Sequence, residues 1–166
     1  MLAIMIIIKI DDPGLAIFKQ KRVGINKKLF EFYKFRSMKL NTPDIPTHLM
    51  DSPELYLTKT GSFIRRYSID ELPQLINILK GDMSIVGPRP ALWNQDDLIA
   101  ERDKYEANDI KPSLTGWAQI NGRDEIPIVV KAKLDGDYKK NLSFGLDAKC
   151  FLLTIVKVLK HEDVAD

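Results

Sequence analysis

Nine of the first ten residues, MLAIMIIIKI, are apolar, and Asp11-Asp12-Pro13-Gly14 then breaks the run with turn chemistry. Ten residues are too few to span a bilayer, which takes about 20. The run also lacks the charged start and small-residue cleavage site of a signal peptide. Two readings stay open: a buried strand or core helix segment, or the end of a longer membrane-embedded element. The pattern next turns extended over Leu15–Val23 and Leu29–Met38, and Gly-Ile-Asn-Lys-Lys between them predicts a hairpin. Alternation along the second strand puts Phe30, Phe32, Lys34 and Arg36 on one face and Leu29, Glu31, Tyr33 and Phe35 on the other. Lys34 and Arg36 are then either a solvated basic edge or two donors aimed at an anion.

Residues Asn41–Glu54, with three prolines and many polar positions, read as a surface loop. Helical periodicity begins at Leu72, Leu75, Ile76 and Leu79, spaced i, i+3, i+4, i+7, with Gly81 placed as a C-terminal cap. Pro73 fits only the first turn, which sets Asp70 and Glu71 at the helix start. Further helices are predicted over Ala91–Ala107, Ile126–Tyr138 and Asp147–Lys160. Lys111–Arg123 (KPSLTGWAQINGR) reads as a turn-rich loop between them. In the last helix Phe151, Leu152, Ile155, Val156 and Leu159 form one apolar face, with Lys149, Lys157 and Lys160 mostly off it. That face suits either a protein core or a lipid interface.

Composition narrows the class. The chain has 166 residues, 45% hydrophobic and 29% charged, which fits one globular domain with a real core. Its 25 basic and 23 acidic residues leave a net charge of +2, too balanced to imply a nucleic-acid partner. A single cysteine, Cys150, excludes an internal disulfide; set in CFLLTIV, it reads as a buried inert thiol. Zinc spacing, a phosphate-binding glycine loop and a nucleophile elbow are absent from the sequence. His48 and His161 stand far apart in polar surroundings and receive no role.

The candidate chemistry lies in SIDELPQLINILKGDMSIVGPRP, Ser68 to Pro90. Ser68 and Glu71 match a capping box, so the two acids serve equally well as helix caps. Placed at a helix N-terminus they would also be held ionised. An ionised aspartate is a nucleophile toward phosphorus. Two neighbouring carboxylates suit a hard cation such as Mg2+, which takes one or two of them beside phosphate oxygens. Phosphoryl transfer also needs cations, and Lys34, Arg36, Arg65, Arg66, Arg89 and Arg123 are available. In Gly87-Pro88-Arg89-Pro90 the prolines stiffen the turn that carries Arg89.

FKQKRVG, FYKFRSM, SIDELPQLINILKGDMSIVGPRP, KPSLTGWAQINGR and LDGDYKKNLSFGLDAK occur in this order. Together they resemble the bacterial sugar transferases, the monotopic phosphoglycosyl transferases, over about Ile10 to Lys160. The resemblance implies an α+β fold: a mainly helical domain with a short N-terminal β-hairpin and amphipathic membrane-interface helices. It implies that residues 1–10 are the end of a re-entrant membrane helix, whose Ser-Pro break lies outside this sequence, and that 11–166 form one catalytic domain. It further implies transfer of a sugar-1-phosphate from a UDP-sugar to a polyprenyl phosphate, with Mg2+, at the cytoplasmic face of the bacterial inner membrane. Capsule, exopolysaccharide or glycan assembly is the expected setting, and a homodimer is allowed. By the same resemblance Asp70 is the nucleophile and Glu71 a metal ligand. Lys34, Arg65, Arg89 and Arg123 face phosphate, and Asp135 and Asp147 are further acids. Ser113 stands where the family more usually has glycine. A homologue without activity, serving as a lipid- or nucleotide-binding module or as a partner subunit, is the alternative expectation.

Overall fold

The structure is a computed structural model and describes residues 1–42, 50, 52–122 and 126–160. Elements run α1 (Leu2–Asp11), β1 (Ile17–Val23), β2 (Leu29–Phe35), α2 (Lys59–Arg66), α3 (Gln74–Lys80), β3 (Ser84–Val86), α4 (Asp96–Asp103), β4 (Ser113–Thr115), α5 (Trp117–Ile120), α6 (Ile128–Lys140) and α7 (Phe144–Lys160). This is an α+β fold: β1 and β2 pair in a hairpin, and β3 pairs in parallel with β4. The expected loop at Asn41–Glu54 lies largely outside the described residues, as do Arg123, His48 and His161.

The chain divides into two compact units, one built from Met1–Lys19 and Tyr33–Pro73, the other from Gln20–Phe32 and Gln74–Asp163. In the first unit the apolar N-terminus is a helix. Ile8 is its one buried residue, and it joins Ala16, Phe35 and Ile64 in a core. Ile4 and Met5 pack against that core, whereas Leu2, Ile6, Ile7 and Ile10 stay exposed. The DDPG turn then does two jobs. The Asp11 carboxylate accepts the Thr60 amide at 2.7 Å, capping the start of α2, and this bond holds its carboxyl below the usual range. Asp12 takes the Arg36 guanidinium. Thr58 completes the α2 cap by accepting from the Gly61 amide at 2.8 Å.

Gly61 allows a close approach. A Cβ there would lie 1.8 Å from the Ser37 carbonyl oxygen, so only glycine lets α2 lie against the chain leaving β2. That approach places the end of α2 and the turn after it beside Lys34.

The second unit has its own core, Val23, Ala91, Leu98 and Ala132, with Ile99, Tyr105 and Ile128 packed on it. Two expectations are corrected here. The helix forecast over Ala91–Ala107 is shorter, because Ala91 and Leu92 are buried outside any helix and α4 begins only at Asp96. The Lys111–Arg123 segment is more ordered than a loop: it supplies β4 and the single turn α5.

Periodicity left open which faces are buried, and the structure decides it. On α3 the apolar residues Leu75, Ile76 and Leu79 are 42–88% exposed, and Leu72, which precedes the helix, is 38% exposed, while Gln74 and Asn77 are buried. Asn77 is held inside by donating to the Glu31 carbonyl at 2.6 Å. On α7 only Cys150 is buried; Phe151, Leu152, Ile155, Val156 and Leu159 are all exposed. The amphipathic patterns are real, but they face outward. No helix among the described residues is long and apolar enough to cross a membrane.

Candidate active site

Ser68 turns the chain after α2. It adopts the left-handed region (φ 53°, ψ 20°) and makes no side-chain cap, so the capping box does not form. The chain then makes one 3-10 turn, Ile69–Glu71, before Leu72 and Pro73 lead into α3. Asp70 and Glu71 therefore sit on this short turn and not on the first turn of an α-helix.

Both acids are buried, at 4% and 8% exposure. Lys34 reaches them from the last half of β2: its Nζ donates to Asp70 Oδ2 at 3.3 Å and to Glu71 Oε1 at 2.9 Å. One ammonium thus bridges two neighbouring carboxylates. Arg65, in the last turn of α2, is half-buried and lies within electrostatic reach of Asp70.

The electrostatics differ from the expectation. A helix N-terminus would hold Asp70 ionised, but burial pushes its carboxyl above the usual carboxylate range, and the charge on Glu71 adds to the rise. Lys34 and Arg65 oppose it. Desolvation outweighs them because the Asp70 carboxyl is almost wholly removed from water.

Arg36 does not join Lys34. It is buried, and its guanidinium is committed to the carboxylate and carbonyl of Asp12. Since β2 ends at Phe35, strand alternation no longer governs the direction of Arg36. Its work is to tie the end of α1 to the end of the hairpin.

Arg89 lies in the second unit, on the turn after β3. Pro88 and Pro90 beside it are buried, and Arg89 is partly exposed. The turn rests on the β4 segment: the Ser113 amide donates to the Pro88 carbonyl at 2.8 Å, and the Gly87 amide donates to Thr115 at 2.9 Å. Ser113 fits in place of glycine because it is fully buried and its hydroxyl lies 2.6 Å from the Thr115 carbonyl. Gly116 is pressed so close to Gly87 that a Cβ would lie 1.8 Å from the Gly87 carbonyl oxygen.

The two later acids have partners within this unit. Asp135 on α6 is buried against Arg102 of α4, with Nε 2.8 Å and Nη2 2.6 Å from its Oδ2. Burial raises its carboxyl and the arginine opposes. Asp147 on α7 accepts the Tyr138 hydroxyl at 2.7 Å. Burial, then that bond, push the Tyr138 hydroxyl well above its ordinary range. Cys150 is the buried thiol expected, and desolvation raises it.

Sequence reasoning missed three polar residues that build this architecture. Gln74 is 1% exposed, and its amide has no hydrogen-bond partner among the described residues. Asn77 follows it on the same buried face. Arg22, quoted within FKQKRVG, donates to the Pro90 carbonyl at 3.1 Å. Polar spacing of i, i+3 opposite an apolar stripe was the available signal for the first two.

The chain matches the model for the family described as "Bacterial sugar transferase" over residues 1–161. It is 48% identical over 157 residues to "Uncharacterized sugar transferase EpsL" of Bacillus subtilis, covering 95% of this chain and 75% of that protein. It is 39% identical over 168 residues to "UDP-glucose:undecaprenyl-phosphate glucose-1-phosphate transferase" of Xanthomonas campestris, covering 96% of this chain and 34% of that protein. A protein of the same description from Escherichia coli is 38% identical over 167 residues, with coverage of 93% and 35%. The chain thus spans three-quarters of the first relative and about a third of the other two.

Proposed function

The chain belongs to the bacterial sugar transferase family, and on that premise we propose that it transfers a sugar-1-phosphate from a UDP-sugar to a polyprenyl phosphate such as undecaprenyl phosphate. The observation that carries this reading is the buried Asp70–Glu71 pair bridged by Lys34, with Arg65 beside it. Relatives described as undecaprenyl-phosphate glucose-1-phosphate transferases support the reaction class.

In the first step a carboxylate oxygen of Asp70 attacks the β-phosphorus of the donor. The new Asp–phosphorus bond forms as the bond to the bridging oxygen breaks, and UMP leaves with that electron pair. A terminal oxygen of the polyprenyl phosphate then attacks the same phosphorus and releases the Asp70 carboxylate. Lys34 keeps Asp70 oriented through its bond to Oδ2. The burial that raises Asp70 makes its carboxylate a stronger nucleophile once ionised. Lys34 and Arg65 offset the charge on the reacting phosphate, and in the second unit Arg89, on its proline-stiffened turn, is proposed as a phosphate-binding cation. The donor set fits Mg2+: two adjacent hard carboxylates already share one cation, the lysine ammonium. Asp70 and Glu71 would hold the ion, which would supply positive charge beside the reacting phosphate.

The outward apolar faces of α3 and α7 support monotopic membrane association; the cytoplasmic face of the inner membrane is the side proposed. Lys157 and Lys160 in the last turn of α7 suit anionic headgroups. UMP release, assayed with a panel of UDP-sugars in lipid nanodiscs, tests the reaction. Wild type should release UMP with at least one donor, and Asp70→Asn should release none. Equal release by both would refute the role of Asp70, and no release by wild type would favour a binding module or partner subunit.

A further inference from the structure

Pro88 and Pro90 have no N–H, so the turn carrying Arg89 can be held at its two flanking residues only through their carbonyls. Each carbonyl is engaged, and by a different segment. Ser113 takes Pro88, as described above. Arg22, next to last in β1, takes Pro90 through Nη1 at 3.1 Å. The same guanidinium lies 5.1 Å from the centroid of the Phe32 ring. The backbone reinforces this contact: Arg22 bridges Leu92 in antiparallel fashion, and the Val23 amide donates to the Ala91 carbonyl at 2.9 Å. All these groups belong to the second unit.

We propose that Arg22 is a positioning residue for Arg89: it fixes the Pro90 side of the turn and so sets the direction in which the Arg89 guanidinium is presented to phosphate. A planar guanidinium can lie over a ring while donating in its own plane, which an ammonium cannot do. The inference rests on the reading of Arg89 as a phosphate-binding cation.

A double-mutant cycle on kcat/KM for the UDP-sugar tests it, using full-length protein in nanodiscs. Arg22→Met should lower kcat/KM by about 10- to 100-fold, the scale of a misplaced binding group. Arg22→Lys should recover little of the loss, because it restores charge without the fork. In an Arg89→Met background the same Arg22→Met change should cost less than about 2-fold, since nothing remains to be positioned. An equal loss in both backgrounds would make Arg22 a general structural residue and overturn the inference while leaving the role of Arg89 intact. An Arg89→Met enzyme with unchanged kcat/KM would overturn the reading of Arg89 and the inference with it. If Arg22→Met does not fold, Arg22→Lys runs the same cycle with the same outcomes.

Discussion

Replacing Lys34 by methionine keeps the length of the stem and removes the ammonium that bridges Asp70 and Glu71. The two side chains it leaves are only 6% and 10% exposed, and they would then face each other with no lysine between them. Breaking a fully buried ion pair costs about 3–5 kcal/mol. The Lys34 side chain is 21% exposed and Arg65 remains nearby, so screening reduces the loss to about 2–3 kcal/mol. At roughly 2–4 °C per kcal/mol for a chain of this size, the melting temperature should fall by about 4–12 °C at pH 8. The sign of the pH dependence follows from the same groups. The folded Asp70 carboxyl is already raised, and losing Lys34 raises it further. The deficit is therefore smallest while Asp70 is protonated and grows as pH climbs through its titration. Far-UV circular dichroism melts of wild type and Lys34→Met in detergent, at several pH values from acid to pH 8, measure this directly. A deficit that does not change with pH, or none at pH 8, would refute the claim that Lys34 stabilises two buried carboxylates.

Other outcomes follow from the same geometry. Asp70→Asn should melt above wild type at pH 8 while losing UMP release, because folding no longer buries a charge; a lower melting temperature would contradict the burial account. The rate of the first half-reaction should fall on acidification with a midpoint above the ordinary carboxylate value of about 4, and that midpoint should rise again in Lys34→Met. Gly61→Ala should destabilise by more than about 2 kcal/mol in chemical denaturation, since its Cβ meets backbone at Ser37 rather than a movable side chain. Leu75→Glu with Leu79→Glu should shift the protein from vesicle-bound to free in a flotation assay while leaving its melting temperature within a few degrees, because both positions are already exposed.

Local pattern exposed some of this structure well. Alternation and the Gly-Ile-Asn-Lys-Lys connection located the β1–β2 hairpin, and Gly81 ends α3 at φ +83° as a C-terminal glycine should. The periodicity of α7 was read correctly, and that of α3 from Leu75 onward, although Leu72 and Pro73 precede the helix; period alone says which residues share a face and not what that face meets. The core took Gln74 and Asn77 instead, a choice made by tertiary hydrogen bonding such as that of Asn77 to Glu31. The parallel β3–β4 pair escaped notice because each strand has only three residues and the pairing spans Ser84 to Ser113. Asp70, Glu71 and Lys34 were all sequence candidates, and the structure brings them together, but their electrostatics were not legible. A capping box predicted a lowered carboxyl, whereas Ser68 turned left-handed and burial decided the direction. Arg36 looked equivalent to Lys34 from spacing, yet the strand ends between them and Asp12 claims the arginine.

The central claim is that Asp70 forms a covalent bond to the phosphosugar. Protein shown to turn over is incubated with its UDP-sugar and no lipid acceptor, quenched, and examined by intact-protein and peptide mass spectrometry. The account predicts stoichiometric UMP release and an acid-labile sugar-phosphate adduct on the peptide containing Asp70, lost again when polyprenyl phosphate is added. An unmodified Asp70 peptide from an enzyme that completes the full reaction would contradict it.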